Sequence, residues 1–212
     1  INFVDIDINT LNIDTNKIEK SINSETIGIL AVNILGNSCD YKKISKIAKK
    51  NNLLLIEDNC ESFGSITNKN KLAGTEGLFS SFSFFFSHHL QTMEGGMILC
   101  KNQNDADYLR SLRAHGWIRD LPKNNKIYRG TGDKFKDQFT FITPGYNLRP
   151  LEMSGAIGEV QLKKSKKMMK IRLKNGKYFT NKFKNSSRVL IQKECGKSSW
   201  FAFSLVLINS LK

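Results

Sequence analysis

The chain has no run of about 18 apolar residues, the length a helix needs to cross a bilayer. Its most aromatic stretch, Leu78 to Phe86, is too short and is broken by serines. No signal peptide is expected at its start, since Ile1 leads directly into the strand-like run Phe3-Val4-Asp5-Ile6-Asp7. Cysteine is scarce. Cys39, Cys60, Cys100 and Cys195 lie far apart and form no C-x-x-C pair, which argues against a disulfide framework and a zinc site. Reduced thiols in a cytoplasmic protein, and no metal, are the expectation.

Acidic residues are also few, 19 against 33 Lys and Arg, for a net charge of +14. From Lys163 to Lys184 they are absent, while Lys163, Lys164, Lys166, Lys167, Lys170 and Arg172 open a long basic stretch. Such a stretch can attract nucleic acid or anionic lipid. Leu162, Met168, Met169, Ile171, Leu173, Tyr178 and Phe179 recur through it at roughly helical spacing, however. That pattern predicts the solvated face of core-packed helices. No nucleic-acid recognition motif accompanies the charge, so neither nucleic acid nor membrane is expected as a partner.

With 40% of 212 residues hydrophobic, the chain can bury a core of one domain or one and a half. Strands are predicted at Phe3–Ile6, Thr26–Val32, Leu53–Ile56, Phe82–Phe86 and Met97–Cys100, with the apolar run Leu53–Ile56 buried on both faces. Helices are predicted over Asn16–Ile22 and after the capping residue Asp40, where Ile44, Ile47 and Ala48 share a face. The alternation gives an α/β fold, a mostly parallel sheet flanked by helices. A polar loop follows from Asp120 to Pro144, then helices from Leu151 to Met168 and from Ile171 to Phe183. Two strand-like runs, Val189–Gln192 and Trp200–Ile208, close the pattern. Ile1 in place of Met, and an ending in mid-pattern, suggest a fragment of a longer protein.

Three blocks carry candidate chemistry. Asp58 ends Ile56-Glu57-Asp58, beyond a predicted strand, where ligands of open α/β sheets sit; by itself such a residue is usually a cap or turn. Glu61 lies three residues on. The second block runs from Ser81 through Ser83 and Phe84-Phe85-Phe86-Ser87-His88-His89 to Glu94-Gly95-Gly96. The third is Pro144-Gly145-Tyr146-Asn147-Leu148-Arg149-Pro150, with Arg113-Ala114-His115-Gly116-Trp117 and Arg119 before it. A lone histidine is more often structural than catalytic, and Pro-Gly-Tyr-Asn is more often a plain turn.

Taken together, these blocks resemble the pyridoxal-phosphate-dependent nucleotide-sugar aminotransferase and dehydratase family, over nearly the whole chain. The resemblance implies the large domain of the fold type I transferases. Residues 1–160 would be a partial cofactor-binding domain, and 161–212 an inter-domain helix and the start of a small α/β domain. It assigns Asp58 to the pyridinium nitrogen and Ser83 to the cofactor phosphate. Glu61 falls near the 3′-hydroxyl, or is simply a first-turn glutamate. Asn147 reaches the cofactor phosphate of a neighbouring subunit, implying a homodimer with a shared active site. Arg113, His115 and Arg119 fall near the substrate's diphosphate or sugar.

His88 stands where the family carries its cofactor-binding lysine, and is the implied catalytic residue. A lysine can hold the aldehyde covalently, whereas an imidazole only moves protons. The exchange implies pyridoxamine or unlinked pyridoxal phosphate as cofactor, a nucleotide sugar as substrate and glutamate as amino donor. The implied reaction is removal of the C3 hydroxyl of a 4-keto-6-deoxy sugar for deoxysugar and O-antigen biosynthesis. Absence of cysteine from Lys101 to Glu194 argues against the iron–sulfur cluster of a related dehydrase. An aminotransferase of the same family is the alternative; a basic nucleic-acid-binding protein or an inactive fragment is more remote. Family members also carry a segment before the point matching Ile1, with a phosphate-cradling loop and a ring-stacking aromatic residue.

Overall fold

The computed structural model describes residues 1–208. Four strands form its main sheet in the order β1 (Gly28–Val32), β2 (Leu54–Asp58), β3 (Phe79–Ser83) and β4 (Gly96–Cys100). The first three run parallel, and β4 returns antiparallel to β3. A short helix, α1 (Thr15–Ile18), precedes the sheet, and α2 (Tyr41–Lys50) makes the crossover from β1 to β2. The Asp40 side chain caps α2 by accepting from the Lys43 N–H, and Tyr41, Ile44 and Ala48 form its buried stripe. That stripe meets Ile29, Ala31 and Leu55 in the main core.

Only one face of the sheet is covered among the described residues. Leu30, Leu54 and Ile98, on the opposite face, are 57%, 48% and 52% exposed. Burial of Leu53–Ile56 on both sides therefore does not hold here, because Leu54 opens to solvent on that second face and Ile56 is only partly covered. Phe3–Ile6 is likewise no strand. It makes a single bridge, Ile6 to Ile13, and Phe3 stands in solvent without a neighbouring strand to pair with. The third strand lies earlier than the aromatic run suggests: it ends at Ser83, and Phe84 turns to bond Gly95 and Thr92.

After β4 come α3 (Gln103–Leu112), a long irregular loop holding α4 (Lys134–Gln138), and α5 (Glu152–Phe183). The two helices expected here are one unbroken helix of 32 residues, since Met168, Met169 and Lys170 are good helix formers with no cap or breaker between them. No helix among the described residues is long and apolar enough to cross a membrane. The C-terminal ladder is shorter than expected. Among the described residues only β5 (Val189–Ile191) and β6 (Leu205–Leu207) pair there, antiparallel.

Between those strands, residues 192–201 run back over the first part of the chain as a strap. Gln192 donates to the Thr10 carbonyl at 2.8 Å, and Asn37 donates to the Lys193 carbonyl at 2.8 Å. Ile66 and Lys197 exchange backbone hydrogen bonds of 2.9 and 2.8 Å. Trp200 lies flat on α5 at Gly176, where an added Cβ would meet the indole at 2.5–2.6 Å. Gly176→Ala is accordingly expected to push Trp200 off the helix at a cost of about 1–3 kcal/mol, read as a lowered denaturation midpoint. A midpoint unchanged or raised, as helix propensity alone would give, contradicts this packing.

Candidate active site

Alternation along β2 separates its two carboxylates. Leu55 and Glu57 point to the α2 side, whereas Leu54, Ile56 and Asp58 point to the open face. Glu57 is fully buried. It accepts from the N–H groups of Gly74 (2.8 Å), Glu76 (2.6 Å) and Gly77 (2.6 Å), and from the Ser80 hydroxyl (3.2 Å). A buried carboxylate needs such donors, and here they fasten the loop that leads into β3. Sequence reasoning passed over Glu57. Two consecutive acids at the end of a strand were the available signal, because period two sends one of them inward.

Asp58 is half-buried at the carboxyl end of β2, paired in register with Ser81 of β3. One of its oxygens accepts the Cys60 N–H at 2.9 Å. Burial foremost, then the hydrogen bond and charge of Asp58, push the Cys60 thiol up to about 11, so it keeps its proton near neutrality. Ser83 ends β3 on the same face as Asp58, and its hydroxyl accepts the Phe85 N–H at 3.2 Å. The chain then makes a turn closed by Phe84 N–H to Gly95 (2.9 Å) and Thr92 N–H to Phe84 (2.7 Å). His88 rides on this turn. It is half-buried, with its ring 6.1 Å from that of Phe85 and 5.4 Å from that of Phe201, and its Nδ1 is buried without a hydrogen-bond partner.

Glu61 is tied elsewhere: one carboxylate oxygen accepts the Leu35 N–H at 2.7 Å. The fold thus gives it an anchoring bond, whatever else its side chain does.

A second group gathers after α3. His115 N–H bonds the Tyr146 carbonyl and Leu148 N–H the Arg113 carbonyl, each at 2.8 Å, and Ala114 bridges Asn147. The Thr143 carbonyl leaves no room for a Cβ on Gly116, nor the His115–Gly116 backbone for one on Gly145. The Arg119 guanidinium lies 5.1 Å from the Trp117 ring centre, and Trp117 stacks on Phe141. Arg113, His115, Arg119 and Asn147 are all exposed. The fold therefore places Asp58 and Ser83 at the ends of adjacent strands and His88 on the turn that follows, while Arg113, His115, Arg119 and Asn147 lie on the outer loops. No hydrogen bond among the described residues joins the sets. Arg172, counted in the basic face by its sequence, instead turns inward and donates to the Trp200 and Phe201 carbonyls, both at 3.0 Å.

Residues 1–211 match the DegT/DnrJ/EryC1/StrS aminotransferase family. The chain belongs to that family. GDP-4-keto-6-deoxy-D-mannose 3-dehydratase of Escherichia coli O55:H7 is 49% identical over 211 residues, 98% of this chain and 53% of that protein. A solved GDP-4-keto-6-deoxymannose-3-dehydratase, a histidine variant with bound GDP-perosamine, superimposes with a TM-score of 0.93 at 48% identity. That match covers 99% of this chain and 54% of the other. The same enzyme with a trapped PLP-glutamate geminal diamine gives a TM-score of 0.92 at 48% identity, again over 99% and 54% of the two chains. This DegT/DnrJ/EryC1/StrS chain thus spans about half the length of the curated relatives it matches. Among its described residues no group of three His, Cys, Asp or Glu could hold a metal ion.

Proposed function

We propose that the full-length protein removes the C3 hydroxyl from a nucleotide-linked 4-keto-6-deoxy sugar with pyridoxal or pyridoxamine phosphate as coenzyme, in deoxysugar and O-antigen biosynthesis. One observation carries the reading. The turn after β3 presents an imidazole with a buried, unpartnered Nδ1, where a Schiff-base enzyme needs an amine. The surrounding donor set suits the coenzyme: a carboxylate, Asp58, and a hydroxyl, Ser83, lie on one sheet face at the carboxyl ends of adjacent strands.

When bound, the coenzyme supplies an amine and a ring that draws electrons from the neighbouring carbon. Asp58 keeps a proton on the ring nitrogen by placing a carboxylate beside it. Ser83 donates its hydroxyl to the phosphate. His88 would carry a proton to and from the coenzyme's C4′ carbon, a task suited to an imidazole because the ordinary histidine pKa is about 6.5. Glu61, besides anchoring Leu35, would face the coenzyme hydroxyl. Arg113, His115 and Arg119 bind the diphosphate or sugar, where arginine offers paired donors to phosphate oxygens. Asn147, exposed on its ladder, would reach the coenzyme phosphate of a second copy, so that a homodimer would share its sites.

In this reading residues 1–160 are the coenzyme-binding part, and 161–212 the connecting helix and the beginning of a smaller domain. Residues 209–212 of the latter lie outside the described residues. Glutamate serves as amino donor, and the setting is cytoplasmic. A panel of GDP- and CDP-linked 4-keto-6-deoxy sugars, incubated with the full-length protein and glutamate, tests the proposal by product mass. The expected products are a 3-deoxy sugar, ammonia and 2-oxoglutarate. An amino sugar in their place selects the transaminase alternative suggested by the family's name.

A further inference from the structure

The fold treats its two adjacent histidines differently. His88 is half-buried, whereas His89 is only 5% exposed, with its Nε2 3.3 Å from the Ser199 carbonyl. A carbonyl can only accept, so Nε2 carries the proton of His89, and Nδ1, buried without a partner, carries none. A second proton there would be a charge out of water near the Arg172 guanidinium. Burial foremost, then Arg172, push the His89 pKa down to about 4 despite the bond to Ser199. The charged or titratable groups facing His89 are Arg172 from α5 and His88 from its own turn; the strap residues Ser198 to Phe201 add none. His89 is therefore uncharged at the pH where His88 would work.

The strap that receives His89 is itself held from both sides. Arg172 grips the Trp200 and Phe201 carbonyls from α5. Ser199 and Phe201 donate their N–H groups to the Gly36 and Leu35 carbonyls at 2.8 and 3.2 Å. Leu35 (φ 56°) and Trp200 (φ 52°) are both left-handed, a conformation bulky residues keep only when their surroundings impose it. The Phe201 ring ends 5.4 Å from the His88 ring and 5.5 Å from the His89 ring.

We propose that His89 is a positioning residue: by hydrogen-bonding Ser199 and packing on Phe201, it fixes the turn that aims the His88 imidazole. The strap from the C-terminal part of the chain thereby sets the direction of the proton carrier. This rests on the reading of His88 given above and adds the device that orients it.

The full-length holoenzyme tests it with His89→Leu, which loses the bond to Ser199, and His89→Gln, whose amide nitrogen can take the place of Nε2 and still donate. His89→Leu is expected to lower kcat on the order of 10–100-fold, with KM and the coenzyme Kd little changed. His89→Gln restores most of that loss. Nitrogen-15 NMR of histidine-labelled protein supplies a readout independent of turnover and of variant folding. One wild-type histidine should remain the neutral Nε2–H form throughout the active pH range, and its signal should vanish in both variants. Wild-type kcat in His89→Leu overturns the proposal. So does an equal kcat loss in both variants with weakened coenzyme binding, or an NMR spectrum in which every histidine titrates near neutrality. His88→Asn, run alongside, separates the two levels: a full rate in that variant removes the role of His88 itself, whatever His89 does.

Discussion

Replacing His88 by lysine in the full-length protein is expected to attach the coenzyme covalently and to slow loss of the C3 hydroxyl on the order of 10²–10⁴-fold. The two side chains differ in both respects that matter. An uncharged amine bonds to the aldehyde, which an imidazole in this role does not. The ordinary lysine pKa, about 10.4, is also poorly matched to carrying a proton back and forth near neutrality. The rings of Phe85 and Phe201, 6.1 and 5.4 Å from that of His88, make the site partly apolar, which favours the unprotonated amine. Transamination of the keto sugar should appear as deoxygenation falls. Product masses from the two proteins, compared under identical conditions, check both changes. Undiminished deoxygenation by the lysine variant contradicts the role given to His88.

The largest expected effect on stability lies one residue before the proposed coenzyme carboxylate. Glu57→Ala strands the N–H groups of Gly74, Glu76 and Gly77, all of which end on one buried carboxylate. Each unsatisfied buried donor costs about 1–3 kcal/mol, so a loss on the order of 3–5 kcal/mol is expected even after partial relaxation. Urea denaturation of the full-length protein measures it. Glu57→Gln should be milder, because one oxygen can still accept from Glu76 and Gly77 while the amide faces the Gly74 N–H. A loss below about 1 kcal/mol for the alanine variant would mean that the loop is held by other means. Since β2 carries Glu57 and Asp58 on opposite faces, the variant should also weaken coenzyme binding without touching the coenzyme.

Much of the fold was legible because local signals agreed. Asp40 and the Ile44/Ala48 stripe predict α2, and the short apolar runs predict β1, β2 and β4. The miss at Phe3–Ile6 shows the limit of such signals: the pattern is strand-like, but a strand exists only where a neighbour accepts its hydrogen bonds. The same limit moved β3, whose end is set by pairing with Gly96 rather than by the aromatic run.

The candidate site divides along similar lines. Asp58, Ser83 and His88 are singled out by motif order alone, and the fold puts the first two on adjacent strand ends. What sequence order could not reveal is which neighbour touches them from far along the chain. Phe201 and Ser199 approach the histidine pair across a separation of more than a hundred residues, and Arg172 holds the Trp200 and Phe201 carbonyls from inside a stretch that reads as ordinary basic surface. His89 was likewise passed over, because its importance lies in a buried contact rather than in a motif.

Borohydride reduction of the wild-type full-length holoenzyme, followed by intact and peptide mass analysis, bears most directly on the claim that an imidazole works an untethered coenzyme. The coenzyme should wash away after denaturation and leave the polypeptide mass unchanged, whereas the His88→Lys protein treated in parallel gains the reduced adduct at position 88. A stable coenzyme adduct on any lysine of the wild-type protein would contradict the account.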